Sequence, residues 1–433
     1  MRLERRQAHH LSHLDPASFV ECLAAVESAF GETWLESAGE HQIQKLWMRP
    51  DPGATNELIN LGYVLRETEK RYPGLGTKIA AKIRREDLNN QRGLLFELLV
   101  IGSLHAKNGT VGPTPKNAPG FDVCISFHDG SELLLSLKSW GTSQHERIFR
   151  KKAASFEQFV KDTAEKTECH SVTVRAMTAH YPEETDWNQL RSAFREALDG
   201  QPLLPITKRI GDLWEMAIQP IWSPNGPVTR KRLSHEVLIL SPYHRNEIRN
   251  FRYKLEEAVQ NAEKHAVISL NRMHGVVVRV PANLSWTDAN EAAQSCLDRG
   301  GPGAVGLILL VQAAVVTDNA NRSSQYVFTK LHASKRFLGW AIPQRSFGLR
   351  LELATTGPEP SRNVAMTDGE EQRELLNTYS YHSGDLYVRF QSGEATVSRL
   401  APGLRQHAIM PLDDQEIEIS GIFPPNDDMV LFD

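Results

Sequence analysis

The alternation of apolar and polar positions divides the chain into regions of different character. In the first stretch, 1–87, the apolar positions recur at helical spacing. One amphipathic segment runs from 19 to 30 and stops at Gly31, a second covers 56–70 and breaks at Pro73-Gly74, and a third, 77–85, is short and basic, with Lys78, Lys82 and Arg85 on one side. From 88 to 180 the period changes. A helix is predicted over 88–106, then a loop rich in Gly, Pro and Asn to 119, strands over 121–127 and 132–138, a helix over 144–164 and a β-branched strand over 171–179. Beyond 181 the pattern is mixed, with helices predicted at 187–198, 246–266 and 286–297. Strands are predicted at 237–240, 275–280, 305–316 and 326–331, and a hairpin over 385–400 about Gln391-Ser392-Gly393-Glu394. The segment 355–368 reads as an exposed loop. The expected fold class is mixed α/β, with a helical N-terminal region (1–87), a central core (88–180) and a mixed α/β region (181–433).

The two strands at 121–138 carry the most specific pattern. Between them lies His128-Asp129-Gly130, and a three-residue hairpin loop ends on a left-handed residue that favours glycine. With that loop Phe127 faces Ser131 and Asp122 faces Ser136, so the period of two brings Asp122, Ser136 and Lys138 to one side of the hairpin. Val123, Ile125, Phe127, Leu133, Leu135 and Leu137 take the other side. A two-residue Asp-Gly loop would instead put Asp122 opposite Leu137 and split the polar groups between faces. In the preceding helix, Glu97 has Leu94, Leu98 and Ile101 as helical neighbours, so it projects from an apolar face and calls for a lysine or a metal ion as partner; the competing reading is a structural glutamate held by an arginine or set at the edge of the stripe. Two carboxylates can hold Mg²⁺ (or Mn²⁺), and a lysine beside them can orient water or offset developing charge. That is the chemistry of phosphodiester hydrolysis.

Composition adds limits. The 433 residues are 40% hydrophobic and 24% charged, neither a disordered nor a membrane profile. The longest apolar run, 304–316, is too short to span a bilayer and reads as a buried strand. Residues 1–6 are not followed by an apolar signal core, and the four separated cysteines suggest neither a disulfide framework nor a zinc site, so a cytoplasmic location is expected. The net charge of −4 means that nucleic-acid binding would need a local basic surface. Candidates are Arg147, Arg150, Lys151 and Lys152; a second group made of Lys78, Lys82, Arg84, Arg85 and Arg92; and a third running from Arg230 to Lys254 with Phe251 and Tyr253 interleaved. The competing reading of each is a solvated helix face. His9, His10 and His13 are a weak metal candidate.

Taken together, Glu97, Asp122 and Lys138, with their order of elements, resemble the PD-(D/E)xK nuclease superfamily. The resemblance covers about a fifth of the chain. It implies a restriction-endonuclease-like core of helix, three strands, helix and strand, with Glu97 and Asp122 as metal ligands, Lys138 catalytic, and Mg²⁺ or Mn²⁺ as cofactor. The substrate it implies is nucleic acid, DNA before RNA, in the setting of a bacterial antiviral defence or restriction system. The family's acid two positions before the lysine falls here on Ser136. Some relatives with serine there take a glutamate from the next helix, which makes Glu146 an auxiliary candidate together with His145. Ser143-Gln144-His145-Glu146 also fits a capping box, which gives Glu146 a structural role instead. The alternative to a nuclease is a non-catalytic module that keeps this fold and binds nucleic acid, a protein partner or a second copy of itself.

Overall fold

The computed structural model describes residues 15–37, 41–48, 52–86, 88–115, 118–140, 142–167, 171–199, 206–220, 222–223, 226–227, 234–281, 284–299, 305–317, 323–341, 349–351, 365–368, 371–374, 377–383, 386–389, 396–401, 405–412 and 415–421. The chain divides into two compact units. The first comprises Met1–Gly141, Asn250–Arg362 and Ile422–Asp433, and the second Thr142–Arg249 and Asn363–Gly421. Among the described residues, no helix is long and apolar enough to cross a membrane.

The first unit opens with six helices, α1 (Pro16–Phe30), α2 (Glu32–Glu36), α3 (Gln42–Met48), α4 (Pro52–Arg71), α5 (Leu75–Ile83) and α6 (Leu88–Ser103). Asp15 caps α1, accepting the Ser18 N–H, and Gly31 ends it at φ +83°. The predicted long helix stops three residues early. Leu104–Ala106 leaves it as strand β1, because the backbone there pairs with an edge strand rather than with its own preceding turn. Strands β2 (Gly109–Pro113), β3 (Val123–Phe127) and β4 (Glu132–Ser139) follow as an antiparallel run.

The helix and strand predicted next form in the chain, but not in this sheet. α7 (Gln144–Lys166) and β5 (Ser171–Thr178) belong to the second unit. There, α8 (Glu184–Leu198), β6 (Ile206–Ile210), β7 (Trp214–Pro220), β8 (Trp222–Ser223), β9 (Gly226–Pro227) and β10 (Ser234–Pro242) follow. Phe149, Phe156 and Val160 of α7 pack with Trp187, Leu190 and Phe194 of α8 over Val172, Val174 and Ala176 of β5.

The chain returns to the first unit along α9 (Glu247–His265), then β11 (Arg272–Val280), α10 (Trp286–Arg299), β12 (Val305–Thr317), β13 (Ser323–Ala333), α11 (Lys335–Ala341) and β14 (Leu349–Leu351). Its eight strands take the order β13-β12-β11-β4-β3-β2-β1-β14. β11 lies parallel to β4, so the strand that completes the β2–β4 meander comes from beyond the second unit's first segment. A parallel neighbour requires a crossover, and α9 is the helix that precedes it. The apolar run at 304–316 is β12, paired on both sides and buried from Val305 to Gln312.

The last strands are β15 (Ala365–Asp368), β16 (Glu371–Glu374), β17 (Thr378–Ser383), β18 (Leu386–Arg389), β19 (Thr396–Ala401), β20 (Arg405–Leu412) and β21 (Gln415–Gly421). β17 joins β10, β5, β7 and β6 in a five-stranded sheet. β18 and β19 form the hairpin expected near the end. Ala365–Asp368, expected within a loop, instead pairs with Glu371–Glu374.

One face of the eight-stranded sheet packs under the N-terminal helices. Leu98, Leu99 and Ile101 of α6 share a core with Val123, Ile125, Leu133 and Leu135 of the hairpin and with Met273 and Val277 of β11. Each such leucine or valine contributes roughly 1.5–3 kcal/mol by leaving water. This burial fixes which face of the hairpin points away from α6.

Candidate active site

The hairpin has the three-residue loop. Gly130 adopts φ +80°, its N–H reaches the Phe127 carbonyl at 3.0 Å, and the Phe127 N–H reaches Ser131 O at 2.9 Å. Asp129 Oδ1 accepts from the Ser131 N–H at 3.0 Å and its hydroxyl at 2.6 Å, which closes the loop from the side-chain direction. The pairs are Val123 with Leu135, Cys124 with Leu134, Ile125 with Leu133 and Ser126 with Glu132. The ladder ends there, one residue short of the expected pairing of Asp122 with Ser136.

Asp122 sits where the ladder ends. Its N–H donates to Leu135 O at 2.9 Å and its carbonyl accepts from the Thr114 N–H at 3.1 Å, so its backbone is held from both neighbouring strands. Gly120 turns the chain into this position at φ +85°, where a Cβ would stand 2.5 Å from the His265 ring. The Phe121 ring lies on His274, centroid to centroid 5.0 Å. The Asp122 carboxylate does not simply point off its face. It turns toward β4, and Oδ2 accepts the Leu137 N–H at 2.7 Å.

Electrostatics join α5, α6 and the two strands of the hairpin at this point. Asp122 as a residue is exposed, yet the protein packed around its carboxyl raises its pKa. That desolvation outweighs the Leu137 N–H and the Lys138 ammonium, which both lower it. Half-buried Glu97 on α6 is also raised, first by burial and then by the negative charge of Asp122. Lys82 on α5 opposes the shift. Each carboxylate therefore feels the next charge along the line Lys82, Glu97, Asp122, Lys138. Sequence reasoning asked for a lysine partner for Glu97 and noted Lys82 only as part of a basic group. The two belong to different helices, and no spacing rule links them.

Ser136 is 1% exposed, closed in by the Asp122 strand on one side and by Val276 on the other. The remaining candidates, His145, Glu146, Arg147, Arg150, Lys151 and Lys152, all lie on α7 in the second unit. Ser143 caps that helix, accepting the Glu146 N–H at 3.0 Å, as the sequence indicated. The Glu146 carboxylate takes the Arg150 Nε at 2.9 Å, and Lys152 pairs with Glu184. Arg147 Nε donates to Ser143 O at 3.4 Å, so three of the four cations of this group are bound locally. His145 stacks on His244, ring centroids 3.7 Å apart. Phe251, read as a base-stacking group, is buried against Trp140. The N-terminal histidines and Arg230, Lys231 and Arg232 lie outside the described residues.

Among the described residues no group of three or more His, Cys, Asp and Glu side chains gathers as a metal site. Glu97 and Asp122 are the two acids that would hold a divalent cation here, and burial raises the pKa of each. Both are desolvated and Glu97 is further raised by Asp122, a state that a cation would relieve. Mg²⁺ needs no larger protein set, since it keeps waters and takes phosphate oxygens alongside one or two carboxylates.

No family model matches the chain, and neither a curated protein nor a solved structure shows significant similarity to it.

Proposed function

We propose that this chain is a divalent-metal-dependent nuclease that hydrolyses phosphodiester bonds of DNA, of the PD-(D/E)xK kind that its sequence resembles. The observation that carries the reading is the meeting of charges at the ladder end. Asp122 is held by the Leu137 N–H next to Lys138, and Glu97 comes within reach of Asp122's field from α6. The neighbouring strand order supports it, since β11 lies parallel beside β4.

In this reading Glu97 and Asp122 hold Mg²⁺, which supplies Lewis acidity toward a phosphate and its attacking water. Lys138 offers an ammonium beside Asp122 that offsets negative charge growing on the phosphate or orients the water. The Leu137 N–H holds one Asp122 oxygen against the strand that carries Lys138. Ser136 adds no charge. Cleavage of a supercoiled plasmid with Mg²⁺ or Mn²⁺, comparing the parent chain with Lys138→Ala, tests the assignment, and equal cleavage removes it.

Ser136 gives a second reading its footing. A buried serine at the family's acid position suits a fold that binds nucleic acid or a protein without cutting. Binding that is indifferent to metal, with no cleavage of DNA or RNA, would favour it.

A further inference from the structure

Helix α5 has two unlike faces. Gly76, Ile79, Ala80 and Ile83 are buried, while Lys78 and Lys82 stand exposed one turn apart, and exposed Arg85 follows in the turn beyond. The C-cap Arg84 is bound, Nη1 donating to Phe30 O at 3.0 Å. Lys78, Lys82 and Arg85 form no ion pair among the described residues. Several other lysines do: Lys152 pairs with Glu184, Lys161 with Glu157 and Lys208 with Glu196. A row of cations held in no ion pair among the described residues costs self-repulsion, which the Glu97 carboxyl offsets in part at Lys82.

We infer that the exposed face of α5 is the track that grips the DNA backbone beside the cutting site, an inference that rests on the nuclease reading and names its substrate-binding element. Lys78 to Arg85 covers about 10 Å at helical rise. One strand of duplex DNA presents a phosphate about every 3.4 Å along its axis, so the row matches about three phosphates. Its middle member, Lys82, is the one that acts on Glu97, so a backbone held along the row passes the site. The cluster on α7 that sequence reading put first is a weaker grip, because Arg150 and Lys152 already hold carboxylates.

The test is fluorescence anisotropy of a labelled 30-base-pair duplex in EDTA, where no cleavage occurs, across a salt series. Each phosphate contact contributes roughly 0.9 to the slope of log affinity against log salt. The triple variant Lys78→Gln, Lys82→Gln, Arg85→Gln should bind at least tenfold more weakly at low salt, with a slope reduced by about 2 to 3. Lys78→Arg with Lys82→Arg keeps the charges and should bind as the parent does. Matching melting temperatures establish that all are folded. Unchanged affinity and slope in the triple variant, or a parent chain that binds no duplex, overturns the track. The nuclease reading fails separately, through equal cleavage by the parent and Lys138→Ala.

Discussion

The Leu137 backbone N lies 2.7 Å from Asp122 Oδ2, and this one bond ties the acid that precedes β3 to the strand that carries Lys138. A side chain beyond the end of a ladder has no strand partner to orient it. A backbone donor on the neighbouring strand fixes it without adding charge, and it commits only one carboxylate oxygen. Even so, the carboxyl stays above the ordinary aspartate range, because desolvation outweighs the bond and the lysine together. The site therefore stores a preference for positive charge.

That preference makes stability depend on pH. Glu97 and Asp122 both titrate above their ordinary values when folded, so over that interval the folded chain holds protons that the unfolded chain has released. The resulting stabilisation is complete below the ordinary carboxylate range, about pH 4, and is lost as pH rises through the raised values. Glu97→Gln removes one of the two charges. It should melt a few degrees above the parent at pH 7, an effect on the order of 1 kcal/mol, with the gap closing toward pH 3. Thermal denaturation at the two pH values reads this directly.

Divalent cations should act on the same pair. A ligand bound only by the folded state stabilises it by about 2.7 kcal/mol at a hundredfold excess over its dissociation constant. Mg²⁺ or Mn²⁺ should raise the melting temperature of the parent chain at pH 7 in a saturable way. Asp122→Asn keeps an oxygen to accept the Leu137 N–H but loses the charge, and should largely abolish the rise. A rise of equal size in that variant would place the ion elsewhere.

Two glycines of the hairpin region, Gly120 beside Asp122 and Gly130 in the distant turn, separate backbone strain from steric conflict. Gly130 and Gly120 both have positive φ, but a Cβ on Gly130 meets nothing within 4 Å, whereas on Gly120 it meets the His265 ring at 2.5 Å. Gly130→Ala should cost roughly 1–2 kcal/mol, the left-handed penalty alone. Gly120→Ala adds a clash with a ring that must move, so its loss on urea denaturation should be clearly larger. It should also lower cleavage, because Asp122 follows two residues later.

Much of this was legible in the sequence where local rules suffice. The His128-Asp129-Gly130 loop dictates the register of β3 on β4, which runs from Ser126 to Val123 and leaves Asp122 one residue beyond it. The helix ending at Gly31 and the strand at Val305–Thr317 follow from capping and apolar runs. Sheet membership was not legible. The helix and strand after Lys138 have the right periods, but period says nothing about which sheet a strand joins. β11 competes for the edge of β4 from some 130 residues away. Lys82 was missed for the same reason, since its tie to Glu97 crosses two helices. Phe251 was misread because an aromatic among cations looks alike whether it faces solvent or Trp140.

The central claim is that Lys138, Asp122 and Glu97 form a hydrolytic site. The most direct measurement is the rate of DNA cleavage with Mg²⁺ for the parent chain and for Lys138→Ala, with equal melting temperatures as the control for folding. Loss of one acid–base or charge-stabilising group costs about 10²–10⁴-fold, so the variant should fall by at least a hundredfold while still binding duplex DNA in EDTA. Cleavage by Lys138→Ala at the parent's rate would contradict the account.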